Sequence, residues 1–225
     1  NPLRTAGQRM LRNPQVLHAA LLGGLSRQPV TERLLWRLEA DSAQRLTIFV
    51  LTETAPSWEH IVEQAGWPGA GVPQARVQSY EPLLSRLERG REFAVRLKVN
   101  PVSSTRRPVK PSAAQESSLS GSRPRGVRVA QRTASQQFEW FTAHIPRWGF
   151  ETVKNDLGLL DLRLDAREKL VFTKRSGSRD RVTLSTATFE GRVRIADPAL
   201  VRRSMVDGVG RARAYGCGLI TLAPV

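Results

Sequence analysis

Four glycines near the end of the chain alternate with basic or small residues, in the stretch Gly208-Val209-Gly210-Arg211-Ala212-Arg213-Ala214-Tyr215-Gly216-Cys217-Gly218. Glycine adopts positive φ and lets a backbone approach a ligand closely. Consecutive N–H groups in such a loop form a concavity that fits phosphate oxygens, and Arg211 and Arg213 add positive charge at the same place. The pattern is typical of a loop that binds a nucleic-acid backbone through Gly208, Gly210, Gly216 and Gly218. The alternative is a tight loop whose glycines only allow the chain to turn.

The composition also favours a polyanionic partner. The 225-residue chain carries 35 Lys plus Arg against 20 Asp plus Glu, a net charge of +15. Such a surface attracts polyanions at long range, and nucleic acid is the commonest one. No long Lys/Arg-faced amphipathic helix supports a membrane partner, and no apolar run approaches the roughly 20 residues that span a bilayer. We therefore expect a nucleic-acid partner, no membrane and, without a signal-peptide pattern, a cytoplasmic location.

The residues that bind metals are few and scattered. The single cysteine, Cys217, excludes an internal disulfide and a cysteine-rich zinc site, and the histidines are His18, His60 and His144. The glycine loop lies between a predicted helix and a predicted strand, opposite to the strand-loop-helix order of nucleotide-binding motifs. We therefore predict no metal and no cofactor. We interpret Cys217 as a small buried residue and not as a nucleophile.

Two helices with the same start signal position the candidate residues. Asn13-Pro14 and Asp197-Pro198 each place a capping side chain before a proline at the first helical position. The first helix carries His18 one turn in, where the imidazole faces either core or solvent. The second helix, over 199–206, ends at Gly208. The apolar run 219–222 after the loop predicts a buried strand.

Alternating apolar residues predict strands in both halves of the chain. They cover 34–38, 46–52 and 93–99, then 157–164, 169–174, 182–188 and 193–195. A basic hairpin tip lies between two of them and contains Lys174, Arg175, Arg179 and Arg181. A helical stripe of aromatic residues over 138–148 predicts core packing in preference to a base-stacking platform.

Residues 101–130 separate the two halves. This segment has seven serines, four prolines and many basic residues, so it is too polar to form a core and is predicted to be a flexible basic linker. The predicted domains are therefore 1–100 and 131–225. The second approximates β-α-β-β-α-β, the ferredoxin-like arrangement, whereas residues 1–12 are too polar to give the first domain its opening strand.

The ordered motifs resemble the CasE (Cse-type) CRISPR RNA-processing endoribonucleases of the Cascade complex. The resemblance rests on Asn13-Pro14-Gln15-Val16-Leu17-His18, Leu34-Leu35-Trp36-Arg37-Leu38-Glu39, Phe189-Glu190-Gly191, the glycine loop and the run 219–224. It implies an α+β fold of tandem ferredoxin-like, RRM-related domains, with antiparallel sheets and helices on one face. It also implies binding of the CRISPR repeat hairpin, metal-independent cleavage at the 3′ base of the stem, and retention of the crRNA beside other Cascade subunits, including the backbone subunit at the crRNA 3′ end.

The same resemblance assigns roles to individual residues. His18 matches the family's catalytic histidine and is expected to act as general acid or base, giving a 2′,3′-cyclic phosphate and a 5′-hydroxyl. Gln15 stands where some relatives have tyrosine, and it can hydrogen-bond a phosphate or the imidazole but is a poor acid or base. Ser26 is a weaker candidate for holding the scissile phosphate, since capping a loop would explain it equally. The basic hairpin is expected to contact the RNA stem. A non-catalytic RNA-binding subunit with the same fold is the alternative.

Overall fold

The computed structural model describes residues 1–27, 29–40, 42, 46–120, 126–173 and 181–225. The helices are α1 Thr5–Arg12, α2 Pro14–Leu22, α3 Glu59–Ala65, α4 Glu81–Leu84, α5 Ala113–Ser120, α6 Ala134–His144 and α7 Pro198–Asp207, with 3₁₀ turns at Ile145–Trp148 and Arg213–Tyr215. The strands are β1 Leu35–Ala40, β2 Leu46–Leu51, β3 Glu92–Val99, β4 Val102–Thr105, β5 Val127–Ala130, β6 Phe150–Thr152, β7 Leu162–Thr173, β8 Arg181–Ile195 and β9 Ile220–Pro224. Of the helices so described, none is long and apolar enough to cross a membrane.

Helices α2 and α7 begin as their sequences predict. The Asn13 side chain accepts a hydrogen bond from the Gln15 backbone N–H at 3.0 Å, and Asp197 accepts one from the Leu200 N–H at 3.0 Å. Each cap satisfies an N–H group that has no partner within the helix. Proline follows both caps, where its fixed φ suits the first helical position. Both predicted starts are confirmed.

A five-stranded antiparallel sheet supports the larger core. Its order is β6-β8-β3-β9, and β7 pairs with β8. Burial alternates along β3, so that one side of the strand, including Phe93 and Leu97, lies in the core with residues of α6 and α7. There the rings of Phe141 and Phe189 stack with centroids 4.0 Å apart. Trp140 and Trp148 belong to the same core, as the aromatic stripe predicts.

The second half contains one long hairpin in place of several short strands. Residues 162–164 and 169–173 of the predicted strands belong to β7, and 182–188 and 193–195 belong to β8, whereas 157–161 lie outside β7. The pairing of the two strands runs from Leu162 opposite Gly191 to Thr173 opposite Arg181. A register shift between Leu164 and Ala166 is the irregularity in the described pairing. The separate strands were wrong because cross-strand pairing continues through polar positions that interrupt the apolar pattern.

The first sheet consists of β1 and β2 in antiparallel pairing. It packs with α1, α2 and α3 around a second core that includes Leu17, Leu21 and Trp36. Strand β3 does not join this sheet. It pairs with β8 on one edge and β9 on the other, although residues 92–99 fall within the first predicted domain. Alternation identified the strand but carries no information about its partners.

Residues 101–130 are structured at both ends, which their composition did not predict. Strand β4 pairs with β5 from Val102 opposite Ala130 to Thr105 opposite Val127, and α5 lies between the two strands. The Trp140 indole N–H donates to the Val102 carbonyl at 3.3 Å and so attaches the pair to α6. A short pair of strands that packs on an existing core needs few apolar residues of its own. The composition of the segment therefore does not predict β4 and β5.

A buried arginine joins the first sheet to the second. The Arg37 side chain on β1 is 3% exposed. Its guanidinium donates to the carbonyls of Arg96 on β3 and Leu219, each at 2.9 Å, and to the Thr221 hydroxyl on β9 at 2.7 Å. Its Nε pairs with Glu39 at 2.6 Å. One side chain therefore satisfies acceptors on three strands from both sheets.

We expect Arg37→Met to lower the free energy of unfolding by about 3 kcal/mol, because it leaves buried acceptors without a donor. Urea denaturation measures the loss. The matched control is Arg194→Met, since the Arg194 side chain is 44% exposed and pairs with Glu92 at 2.7 Å. Removing a surface pair of this kind costs about 1 kcal/mol or less. Equal losses in the two variants would contradict a central role for Arg37.

Candidate active site and nucleic-acid interface

The glycine loop folds back on itself and onto β1. The Val209 N–H donates to the Gly218 carbonyl at 3.0 Å, and the Gly218 N–H donates to the Lys98 carbonyl on β3 at 2.8 Å. A Cβ on Gly218 would overlap the Val209 carbonyl oxygen. A Cβ on Gly216 would lie 2.9 Å from the Trp36 ring. These positions need glycine because the backbone φ is positive, 87° and 80°, and the space beside it is filled.

Packing therefore explains three of the four glycines. Gly208, Gly216 and Gly218 are buried, and a Cβ on Gly208 would meet Leu35 of β1. Gly210 differs because it is exposed, and the Trp140 ring, at 4.0 Å, is what a Cβ there would meet. Contact of the four glycines with RNA stays a prediction. For the buried three, the turning role left open by the sequence accounts for the residue type.

The two loop arginines have different surroundings. Arg213 folds inward: its Nε donates to the Gly210 carbonyl at 3.2 Å and its guanidinium NH1 donates to the Asp207 carbonyl at 2.6 Å. Burial lowers the pKa of Arg213. Arg33 also binds Asp207, through both its carbonyl and its carboxylate. Arg211 is exposed. Arg213 thus holds the loop in shape, whereas Arg211 offers its charge to solvent.

Helix α2, the glycine loop and the base of the basic hairpin meet in one place. The 3₁₀ turn Arg213–Tyr215 packs against α2, and so does β7. The Asn13 side-chain amide donates to the Thr173 carbonyl at the end of β7 at 3.3 Å. Next to it, the Phe172 ring packs edge-on against the Tyr215 ring, with centroids 4.8 Å apart. The structure therefore brings the helix that carries His18 beside the loop and the hairpin.

The basic hairpin is described only at its base. Lys174, Arg175 and Arg179 lie outside the described residues. Arg181 begins β8, is exposed and pairs through its backbone with Thr173. The predicted contact of these four residues with RNA is untested by the structure.

His18 is half-buried, and its Nδ1 has no hydrogen-bond partner among the described residues. Burial lowers the pKa of His18 below the ordinary 6.5, because desolvation disfavours the charged ring. The imidazole is therefore mostly neutral at pH 7. A neutral imidazole in partial contact with solvent is suited to accept a proton.

Gln15 and Ser26 lie on opposite sides of His18 along the chain. Gln15 is half-buried in the first turn of α2. Ser26 is exposed beyond the C-terminal end of α2 and lines a shallow pocket of about 500 Å³ together with Ser57 and His60. The described residues that line this pocket include none from the glycine loop. The structure therefore groups Gln15 with His18 on one helix and groups Ser26 with the start of α3.

The remaining histidines and the cysteine have structural surroundings. A ring nitrogen of His60 lies 2.9 Å from the Ala20 carbonyl, and Nδ1 of His144 lies 2.6 Å from the Trp140 carbonyl. Cys217 is buried, and burial raises its pKa to about 12, which keeps the thiol protonated. The predicted buried position of Cys217 is confirmed. In the ranges that the structure describes, no group of three or more His, Cys, Asp or Glu side chains could hold a metal ion.

Sequence reasoning missed two residues at this junction. Tyr215 lies inside the glycine loop but was overlooked beside the glycines and arginines, and Phe172 was counted only as part of a strand. The sequence does mark Tyr215, since it is the aromatic residue in a loop of glycines, arginines and small residues. Its contact with Phe172 on β7 could be known only from the fold.

Gly218→Ala should lower stability more than Gly90→Ala. The two glycines have nearly the same φ, 87° and 85°, but no atom lies within 4 Å of a Cβ on Gly90. Both variants suffer the left-handed backbone strain of about 1–2 kcal/mol. Only Gly218→Ala adds overpacking against fixed backbone, about 1–3 kcal/mol more. Urea denaturation of the two variants checks the difference, and equal stabilities would contradict the tight loop.

Comparison with known proteins places these features in a family. The model for a family described as CRISPR associated protein matches residues 1–224. The CRISPR-associated endoribonuclease Cse3 of Thermus thermophilus is 30% identical over 234 residues, which cover 100% of this chain and 96% of the relative.

Solved structures agree with that match. CRISPR endoribonuclease Cse3 bound to 19 nt RNA is 27% identical with a TM-score of 0.72, covering 100% of this chain and 96% of the other. Thermus thermophilus Cse3 bound to an RNA representing a pre-cleavage complex is 26% identical with a TM-score of 0.70, covering 100% and 95%. The likeness confirms the predicted α+β, tandem ferredoxin-like fold. The chain belongs to the family of CRISPR-associated proteins that includes the endoribonuclease Cse3.

Proposed function

We propose that this protein is the endoribonuclease that processes CRISPR precursor RNA: it binds the repeat hairpin, cuts at the 3′ base of the stem and stays on the mature crRNA. The observation that carries the proposal is the packing of the His18 helix against the glycine loop and the hairpin base. Family membership and the full-length match to a relative named as an endoribonuclease support it.

The proposed chemistry needs no metal ion. The 2′-oxygen attacks the adjacent phosphorus in line, the new P–O2′ bond forms, and the P–O5′ bond breaks. The products are a 2′,3′-cyclic phosphate and a 5′-hydroxyl. His18 takes the proton of the 2′-hydroxyl as general base, because the lowered pKa leaves its ring neutral at pH 7. Holding the attacking oxygen in line contributes to the rate by itself.

Negative charge on the phosphate is stabilised from the loop. The Arg211 side chain is exposed and free to approach a phosphate, and the backbone of exposed Gly210 can approach it closely. Arg213 acts indirectly, since it fixes the loop through Gly210 and Asp207. Gln15, one turn before His18, hydrogen-bonds the phosphate or the imidazole. Ser26 remains the weaker candidate for a phosphate contact.

RNA binding uses a surface separate from the chemistry. The major groove of an A-form stem is deep and narrow, so a slim basic hairpin suits it better than a helix. The hairpin of Lys174, Arg175, Arg179 and Arg181 presses on the stem phosphates. Retention of the product places the protein beside the Cascade backbone subunit at the crRNA 3′ end.

His18→Ala should bind the repeat hairpin as tightly as the wild type but cleave it about 10²–10⁴ times more slowly, because it removes the base and no binding residue. Single-turnover cleavage in EDTA and a filter-binding titration measure the two quantities. His144→Ala is the control, since that ring packs on Trp140 in the larger core. A fully active His18→Ala would overturn the assignment, and a wild type that binds without cutting would favour the non-catalytic RNA-binding alternative.

The cleavage rate should rise with pH and then level off. Below the pKa of His18, which burial holds under 6.5, the ring is protonated and cannot accept the 2′-hydroxyl proton. Above that pKa the neutral ring predominates, so the rate reaches a plateau by neutral pH. Cleavage rates measured with protein and RNA far below saturation report the pKa of the free protein, and they give the profile at constant ionic strength. A rate that falls as the pH rises from acidic to neutral values would contradict the role of His18 as base.

A further inference from the structure

The proposed reaction moves two protons, and His18 accounts for one. The 2′-hydroxyl loses a proton as its oxygen attacks phosphorus, and the 5′-oxygen must gain one as it leaves. A positioned donor for the second transfer accelerates the reaction because an unprotonated alkoxide is a poor leaving group. That donor is therefore expected among the groups packed around α2, the helix that carries His18.

The described elements that pack against α2 offer few transferable protons. The α1 helix, β7 and the 3₁₀ turn Arg213–Tyr215 contact α2, and α3 and β1 share its core. The titratable ring of α3, His60, already has a ring nitrogen 2.9 Å from the Ala20 carbonyl and lines the pocket with Ser26, away from the glycine loop. On α1, Arg9 and Arg12 are exposed, but a guanidinium holds its proton too firmly to give it up at neutral pH. Arg213 is similar and is already bound to two carbonyls. Tyr215 has a phenolic hydroxyl, which can donate a proton.

The surroundings of Tyr215 fix its ring and leave its hydroxyl available. The ring is half-exposed and packs edge-on against Phe172, which is 6% exposed. With the residues that the structure describes, the Tyr215 hydroxyl makes no hydrogen bond. The other tyrosine of the chain, Tyr80, packs against the larger core, and burial raises its pKa to about 12. Tyr215 is thus the tyrosine that a bound RNA could reach.

We propose that Tyr215 is a catalytic residue that donates its phenolic proton to the departing 5′-oxygen of the RNA. The inference rests on the function proposed above. As the P–O5′ bond breaks, its electron pair goes to O5′, which takes the phenolic proton and leaves as a 5′-hydroxyl. His18 has meanwhile gained the 2′-hydroxyl proton. Proton exchange with water then returns the imidazole and the phenolate to their starting forms.

Tyr215→Phe tests the donor, because it keeps the ring against Phe172 and removes only the hydroxyl. Two repeat hairpins are compared: the natural RNA, and the same RNA with sulfur in place of the scissile 5′-oxygen. A thiolate leaves readily without a proton. We expect Tyr215→Phe to cut the natural RNA about 10²-fold more slowly and the sulfur-containing RNA at the wild-type rate. Equal slowing on both substrates, or no slowing on the natural one, would overturn the proposal.

Two controls separate this proposal from the function on which it rests. Tyr80→Phe should cut both substrates at the wild-type rate. His18→Ala should remain slow on both, because the 2′-hydroxyl still needs a base when sulfur is the leaving atom. If the wild type cuts neither substrate, the proposed function itself fails and the role of Tyr215 fails with it. If the wild type cuts both and Tyr215→Phe matches it on both, only the role of Tyr215 fails.

Discussion

The hydrogen bonds of one buried guanidinium determine how the rest of this molecule is arranged. Arg37 binds acceptors on β1, β3 and β9, and it also binds the Leu219 carbonyl, which lies between the glycine loop and β9. A charge removed from water is tolerated only when its hydrogen-bonding groups are satisfied, so the two sheets can approach each other in few ways. Leu35 and Trp36, the residues just before Arg37, support Gly208 and Gly216. The strand that the arginine fixes is therefore also the surface on which the loop rests.

Ion pairs at the interface between the two sheets neutralise some of the protein's arginines. Carboxylates line the cleft of about 710 Å³ between the sheets and pair with its arginines. Glu39 is shared by Arg37 and Arg96, and Glu190 pairs with both Arg96 and Arg163. Charges neutralised in this way attract RNA weakly. Arg211 in the glycine loop and Arg181 at the hairpin base are instead exposed, so both contribute to the long-range attraction of a chain with net charge +15.

Local signals in the sequence predicted local structure well. Asn13 and Asp197 marked helix starts because capping depends on a few neighbouring atoms. The alternation in β3 marked a strand because one side of it is buried. The partners of β3 were missed, and the alternation that predicted a strand over 34–38 did not indicate that Arg37 is buried. Both depend on acceptors far away in the chain, such as Leu219 and Thr221. No spacing rule within β1 reveals them.

In the candidate site, too, residue types could be recognised from the sequence whereas long-range contacts could not. His18 and the glycine loop could be picked out by residue type, whereas the inward fold of Arg213 and the meeting of Tyr215 with Phe172 required the fold. The unpaired Nδ1 of His18 is informative in this respect, because a buried polar atom without a partner costs about 1–3 kcal/mol and such atoms are rare. In the proposed complex, a phosphate near the ring would favour the protonated imidazole and raise its pKa. The ring would then be neutral before RNA binds and a stronger base once the substrate is in place, so burial and RNA binding act on His18 in opposite directions.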